Sequence, residues 1–432
     1  MFPYRVSEWF YSKIPMLMGA VYLMLLLKGV ILSTILLFYL LSITCTNIGF
    51  AAIGYWINDF FDRKKDSRSN KPNIFNNTSS SNVSLFIVGT ISFALVPWIW
   101  LPSSKFVFYL LALEMLLFIM YAAPPLRLKE RGWLGVFVDS IYASVLPAFI
   151  LLLTIRQAIG EIEEITLWEI ALYLLLFISG LRKILIHQIE DIDADNLSAT
   201  PTLAVRYGAK RTNTIVTHVI LPLEIFSFVL LVVALFQVSA WLSVILTGLF
   251  LLRLLFSPLG ENILKYHPES SRFLNKILNG PQEVDLPLVV LGLLCMQDGW
   301  YFFILFFHVI IFLPGHRQVL NAGKDYIAKP VYYHFIPEVY YTVKRTLPVI
   351  YYMLVSKYYS VFRFLDKSYS VVKKGCVYLY HDVFLLFYYK VIVWSYYNIV
   401  LKSLVSIWKA GFFLLNGKSH KPDEKNNTAR RQ

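Results

Sequence analysis

In the stretch Asn58-Asp59-Phe60-Phe61-Asp62-Arg63-Lys64-Lys65-Asp66, an oxygen-bearing side chain recurs at every fourth position: Asn58, Asp62 and Asp66. The stretch directly follows an apolar run that ends near Trp56. If the helix of that run continues, the three side chains stack on one face. A row of carboxylates near a helix C-terminus repels itself and opposes the helix dipole, so it calls for a cation. Hard divalent ions favour such oxygen ligands. The plain alternative is a solvated polar loop with basic residues mixed in. A second row answers the first at His187-Gln188-Ile189-Glu190-Asp191-Ile192-Asp193-Ala194-Asp195, where Asp191 and Asp195 repeat the spacing and Asp193 faces away. Two such rows, opposed across a helical bundle, can hold a pair of metal ions. Mg²⁺ takes one or two protein carboxylates and completes its shell from water and substrate phosphate. The chemistry suggested is therefore diphosphate binding.

The elements that must position these rows are membrane helices. Of the 432 residues, 57% are hydrophobic and 16% charged, and the mean hydropathy is +0.58. A soluble domain carries more charge. Apolar runs near the ~20 residues needed to cross a bilayer recur over roughly 14–30, 33–57, 83–101, 105–123, 134–154, 167–186, 213–236 and 238–256. A further run at 286–312 is either one tilted span or a hairpin broken at Gln297-Asp298-Gly299. The expected fold is all-α, a polytopic bundle of about nine spans. Glu8 and Lys13 sit where the apolar part of a cleavable leader would lie. The three cysteines, Cys45, Cys295 and Cys376, are too scattered for a zinc site or a disulfide framework.

The loops alternate in charge. One set holds Arg63, Lys64, Lys65, Arg68 and Lys71, then Arg127, Lys129 and Arg131, then Arg206, Lys210 and Arg211. The other set is short or acidic, with Lys28, Lys105, and Arg156 beside Glu161, Glu163 and Glu164. The positive-inside rule makes the first set cytoplasmic, and both acidic rows fall on that side. The expected location is the cell membrane, multi-pass, with the site facing the cytoplasm. Asp139 and Glu114 lie inside apolar runs, where a charge is costly and calls for a partner or a cavity.

The net charge of +13 is concentrated after Gly315, where 18 Lys and Arg face 6 Asp and Glu. Basic residues there interleave with Tyr and Phe, a pattern suited to helices in the headgroup plane of an anionic membrane. The chain accordingly divides into a transmembrane domain at 1–313, a basic aromatic tail at 314–415 and a polar, disordered end at 416–432. No nucleic-acid-binding module is visible.

Asn58-Asp59-x-x-Asp62-x-x-x-Asp66, Asp191-x-x-x-Asp195 and Thr202-Leu203-Ala204-Val205-x-x-Gly208 together resemble the UbiA superfamily of membrane prenyltransferases. Tyr121-Ala122-Ala123-Pro124-Pro125-Leu126-Arg127-Leu128-Lys129-x-x-Gly132 is similar to that family's tyrosine-and-lysine segment, and Arg5, Pro15 and Gly19 fit more loosely. The resemblance covers about residues 5–300. It implies a Mg²⁺-dependent transferase that ionises an isoprenyl diphosphate and alkylates a small, commonly aromatic, acceptor. Metal ligands would be Asn58, Asp62, Asp66, Asp191 and Asp195. Arg68, Lys71, Arg127 and Lys129 would contact diphosphate, and Tyr121 would brace the leaving group or the cation. The chain departs from the family at Ala199, where glycine is usual, and at Lys71-Pro72-Asn73, where Arg-Pro is usual. Phosphoribosyl transfer to a polyprenyl phosphate is the rival reaction on the same fold. A non-catalytic scaffold or a transporter is the rival of another class.

Overall fold

The computed structural model describes residues 6–69, 71–161, 164–255 and 278–323. These are helical almost throughout, with no strand among them. Ten helices carry the architecture: α1 Val6–Leu27, α2 Thr34–Ser69, α3 Ser80–Leu95, α4 Lys105–Ala122, α5 Trp133–Ala158, α6 Leu167–Glu190, α7 Ala209–Phe236, α8 Ala240–Leu255, α9 Leu286–Gln297 and α10 Tyr301–Gly323. Seven helices among the described residues are long and apolar enough to cross a membrane; Ala240–Leu251 and Tyr301–Arg317 are shorter apolar stretches. The expected 286–312 run is two helices, broken at Asp298, whose carboxylate accepts the Leu32 amide at 2.9 Å. Helix α10 continues through residue 313, where the sequence suggests that the transmembrane part ends. Arg5 and the tail from residue 324 onward lie outside the described residues, as do the expectations placed on them.

Helix contacts close a ring in the order α2, α4, α5, α6, α7, α8, α9, α1 and back to α2. Helix α3 packs against α2, and α10 against α9 and α1. The bundle keeps large apolar side chains exposed, among them Phe38, Leu41, Phe106, Leu116, Val229 and Phe307. Apolar side chains facing outward on an otherwise close-packed bundle are what a lipid surround requires.

Of the prolines inside the helical runs of this ring, Pro147, Pro222 and Pro287 share one setting. Each stands two residues after a five-residue π turn, at Ile141–Val145, Val216–Ile220 and Pro281–Asp285. Proline cannot donate its amide and crowds the carbonyl four residues back. Widening the turn before it relieves that clash and lets the helix run on. A span can thus carry proline without breaking.

Helix α2 matters most for the site. Its 36 residues extend about 54 Å at 1.5 Å per residue, well beyond a hydrocarbon core of about 30 Å. Its C-terminal third therefore projects past the apolar zone, carrying Asn58, Asp62 and Asp66 with it.

Candidate functional site

The expected helical continuation through Asn58–Asp66 is present, because α2 does not end until Ser69. Asn58 and Asp62 share a face: the Lys129 ammonium donates to Asn58 Oδ1 at 2.8 Å and also grips Asp62 Oδ2. Arg127 donates to the other Asp62 oxygen at 2.8 Å. Both cations come from the segment between α4 and α5, where Leu128–Glu130 forms a short 3₁₀ turn. Glu130 fixes that turn by accepting from Arg127 at 2.7 Å and from Lys65 of α2 at 2.6 Å. Burial works to raise the Glu130 carboxyl, but Lys65 and Arg127 outweigh it and hold it below its ordinary value. Burial pulls the Lys129 ammonium down, against the attraction of Asp62.

The second row forms where α6 ends. Asp191 is the C-cap of α6, and a short helix, Ile192–Leu197, restarts at once. The Asp195 amide still donates to the Asp191 carbonyl at 2.8 Å, so one helical step relates the two carboxylates despite the break. Asp193 is exposed on the far side, as expected. Thr202 donates to Asp195 Oδ2 at 3.1 Å. Leu203 fixes this return by burying itself in an apolar cluster with Val136, Leu181 and Leu185.

The two rows meet through the segment after α2. Lys71 donates to Asp191 at 2.8 Å and to Asp195 at 2.9 Å, bridging the second row from the end of the first. Burial lowers the Lys71 ammonium, but the hydrogen bonds and charges of the two aspartates outweigh it and leave it above its ordinary value. Pro72 then ends the run, and Asn73 caps the short helix Ile74–Asn77 by accepting from the Phe75 amide at 3.0 Å. The amide of Asn73 donates to Asp66 Oδ2 and to the Asp59 carbonyl, both at 2.7 Å. Asp59 accepts from the Ile74 amide, fifteen residues on, at 3.1 Å. Lys65 also reaches Thr200, beyond the second row, at 3.4 Å. Helix Ile192–Leu197 packs directly on α2.

The structure thus brings Asn58, Asp62, Asp66, Asp191, Asp195, Lys71, Arg127 and Lys129 to one end of the bundle. Tyr121, on the last turn of α4, lies within electrostatic reach of Asp139, Asp62 and Asp195, with its ring 5.2 Å from Tyr142. The Tyr142 hydroxyl donates to Asp139 at 2.6 Å. Arg68 differs from the rest: two residues past Asp66, it turns to the opposite side of α2 and is exposed. Glu114 is buried in electrostatic contact with Lys13 of α1, the cross-helix pairing its depth calls for.

Sequence reasoning missed Asn73, Glu130, Lys65 and Thr200 as parts of this site. Asn73 left a trace, because a proline followed by asparagine before a short helical run is a stop and an N-cap. Glu130, Lys65 and Thr200 left none, since their meeting depends on how three loops dock.

A model of the UbiA prenyltransferase family matches residues 14–262. Among solved structures, a UbiA homolog from Archaeoglobus fulgidus bound to GPP and Mg²⁺ aligns with 17% identity and a TM-score of 0.41, covering 66% of this chain and 96% of that one. The same homolog bound to DMAPP and Mg²⁺ aligns with the same figures: 17% identity, a TM-score of 0.41, and 66% and 96% coverage. No curated protein matches.

Proposed function

This chain belongs to the UbiA prenyltransferase family, and from that membership we propose that it moves an isoprenyl group from a polyprenyl diphosphate to a small aromatic acceptor, at a Mg²⁺-dependent site on the cytoplasmic side of the cell membrane. The observation that carries this reading is the convergence of Asp62 and Asp66 with Asp191 and Asp195 at one end of the ring, among Lys71, Arg127 and Lys129.

The donor set suits Mg²⁺. Its atoms are carboxylate oxygens and the Asn58 amide oxygen, which hard ions prefer to nitrogen or sulfur. No three His, Cys, Asp or Glu side chains among the described residues cluster tightly enough to cage an ion alone. An ion here would therefore use one or two carboxylates and draw the rest of its shell from water and phosphate. When bound, Mg²⁺ supplies positive charge that stabilises the departing diphosphate.

The chain's own residues do the rest. Arg127 and Lys129 present two cations on a turn held rigid by Glu130, so they meet developing phosphate charge without first having to order. Lys71 commits two of its three ammonium donors to Asp191 and Asp195 and would turn to phosphate oxygen if those carboxylates held an ion. Tyr121 offers a hydroxyl and a ring face at the boundary between the charged end and the apolar interior, where an allylic cation would form. The apolar bundle sheathes the prenyl chain and excludes water from the reacting carbon.

Membranes containing the full chain, supplied with labelled polyprenyl diphosphate and Mg²⁺, should yield a prenylated acceptor detectable by mass. Asp62→Ala and Asp191→Ala should each lower that yield by about 100-fold or more, on the scale of losing one preorganised charge-stabilising group. Incorporation of phosphoribose label and not of prenyl label would transfer the site to the phosphoribosyl reaction. Survival of activity in both variants would remove the metal-site account altogether.

A further inference from the structure

Helix α10 carries a polar row that prenyl transfer does not use. His308, Phe312 and His316 are spaced four apart and so share one face. Only 3% of each histidine is exposed. Their ring centroids stand 5.5 Å apart at 31°, with Phe312 beside both at 4.8 and 6.5 Å. Phe10 of α1 closes over Phe312 at 5.4 Å. A Cβ added to Gly315 would lie 2.7 Å from the Tyr11 backbone oxygen, so α1 and α10 are in close contact beside the pair. His308 Nδ1 is hydrogen-bonded to the Tyr22 hydroxyl of α1 at 3.3 Å. Neither His308 Nε2 nor His316 Nε2 has a hydrogen-bond partner among the described residues.

Buried polar atoms are almost always paired. Two unpaired nitrogens on neighbouring buried rings, beside Phe312 and Phe10, are an arrangement that a ligand resolves. If Tyr22 accepts the His308 Nδ1 proton, Nε2 is left with its lone pair free. Such a bond to the remote ring nitrogen is the usual way a ligating histidine is oriented. Imidazole nitrogens bind Zn, Cu, Fe and Ni in preference to Mg. Of these, Zn²⁺ asks for four ligands and brings two charges into an apolar wall with no carboxylate among the contacts named above, which is expensive. A singly charged ion content with two nitrogens fits better. Metal–imidazole bonds are about 2 Å long; with ring centroids 5.5 Å apart, both Nε2 atoms reach one ion once the rings are turned toward it.

We propose that His308 and His316 form a two-nitrogen site for one Cu⁺ ion, with Tyr22 holding His308 in the ligating tautomer, separate from the acidic end of the bundle.

The test uses the full chain in detergent, stripped of metal and kept reduced, with Cys45, Cys295 and Cys376 all replaced by serine so that thiolates do not compete. Cu⁺ is titrated against a colorimetric chelator. One equivalent should bind, and excess Mg²⁺ should not displace it. X-ray absorption should report nitrogen and no sulfur around the copper. His308→Phe and His316→Phe should abolish that equivalent. Tyr22→Phe, which keeps the ring and loses only the hydroxyl, should weaken it by about tenfold and so tests the site even if a histidine variant fails to fold. Binding that disappears with the cysteines, or persists unchanged in the histidine and Tyr22 variants, overturns the proposal. So does a stripped protein that takes up no copper, because the two nitrogens would then share an ordered water.

Discussion

Ala199 holds its backbone at φ +52, a conformation that costs a residue with a Cβ about 1–2 kcal/mol. The bonds around it explain why the chain turns there. The Thr200 amide returns to the Asp195 carbonyl at 2.8 Å, and the Ala199 amide to the Asn196 carbonyl at 3.1 Å. That pair of bonds is the Schellman ending of a helix, whose left-handed position is normally glycine. The sequence shows only an alanine here; the backbone shows that the position favours glycine, directly behind an aspartate gripped by Lys71. Ala199→Gly should therefore stabilise the fold, by about 1 kcal/mol once the greater freedom of unfolded glycine is subtracted. The readout is a thermal midpoint in detergent raised by a few degrees, and a lowered midpoint would refute the strain. The carboxylates themselves were legible because helical spacing fixes which side chains share a face. The supporting residues Asn73, Glu130 and Thr200 were not, because loop docking follows no period.

At the scale of elements, apolar run length located the spans, and the polar continuation of α2 followed from its four-residue spacing. Close approach between helices is harder to see in advance. Gly49 on α2 lies against the backbone of α3: an added Cβ would sit 2.2 Å from the Ala94 nitrogen and 2.6 Å from its Cα. Thr46 locks the same crossing by donating to the Ala94 carbonyl at 2.6 Å while accepting from Trp98 at 2.8 Å. Gly89, on α3 itself, has nothing within 4 Å of that position. The two glycines look alike in sequence and should respond oppositely. Gly49→Ala must push two backbones apart and should cost about 1–3 kcal/mol, whereas Gly89→Ala should gain up to about 1 kcal/mol of helix propensity. Paired melting curves in one detergent check this, and equal effects would mean that the α2–α3 contact is looser than the structure has it. The proline-linked π turns teach a related lesson: Pro147, Pro222 and Pro287 are plain in the sequence, but whether a proline breaks a span or widens it depends on the neighbours that hold the helix together.

For the molecule as a whole, the two ends differ in how completely their charges are answered. At the end away from the acidic rows, Lys28 is paired with Glu161 at 3.1 Å and Arg156 with Glu169, which leaves Lys105 as the exposed cation of that set. At the other end Arg63, Lys64, Arg68, Arg131, Arg206, Lys210 and Arg211 are exposed. The positive-inside rule counts such residues near span ends, and here the bias sharpens once the pairs are set aside. Helix α2 offers a direct test because it carries both ends on one rigid element. Thr34 and Lys64 are both exposed and stand 30 residues apart, or about 45 Å along the helix, against a hydrocarbon core of about 30 Å. In a background with the three native cysteines replaced by serine, Lys64→Cys should react with a membrane-impermeant maleimide in inside-out vesicles and stay silent in right-side-out ones. Thr34→Cys should do the reverse. Exchange of the two patterns would put the acidic rows on the outer face, away from cytoplasmic diphosphate, and the transfer reaction proposed above would lose its supply of donor.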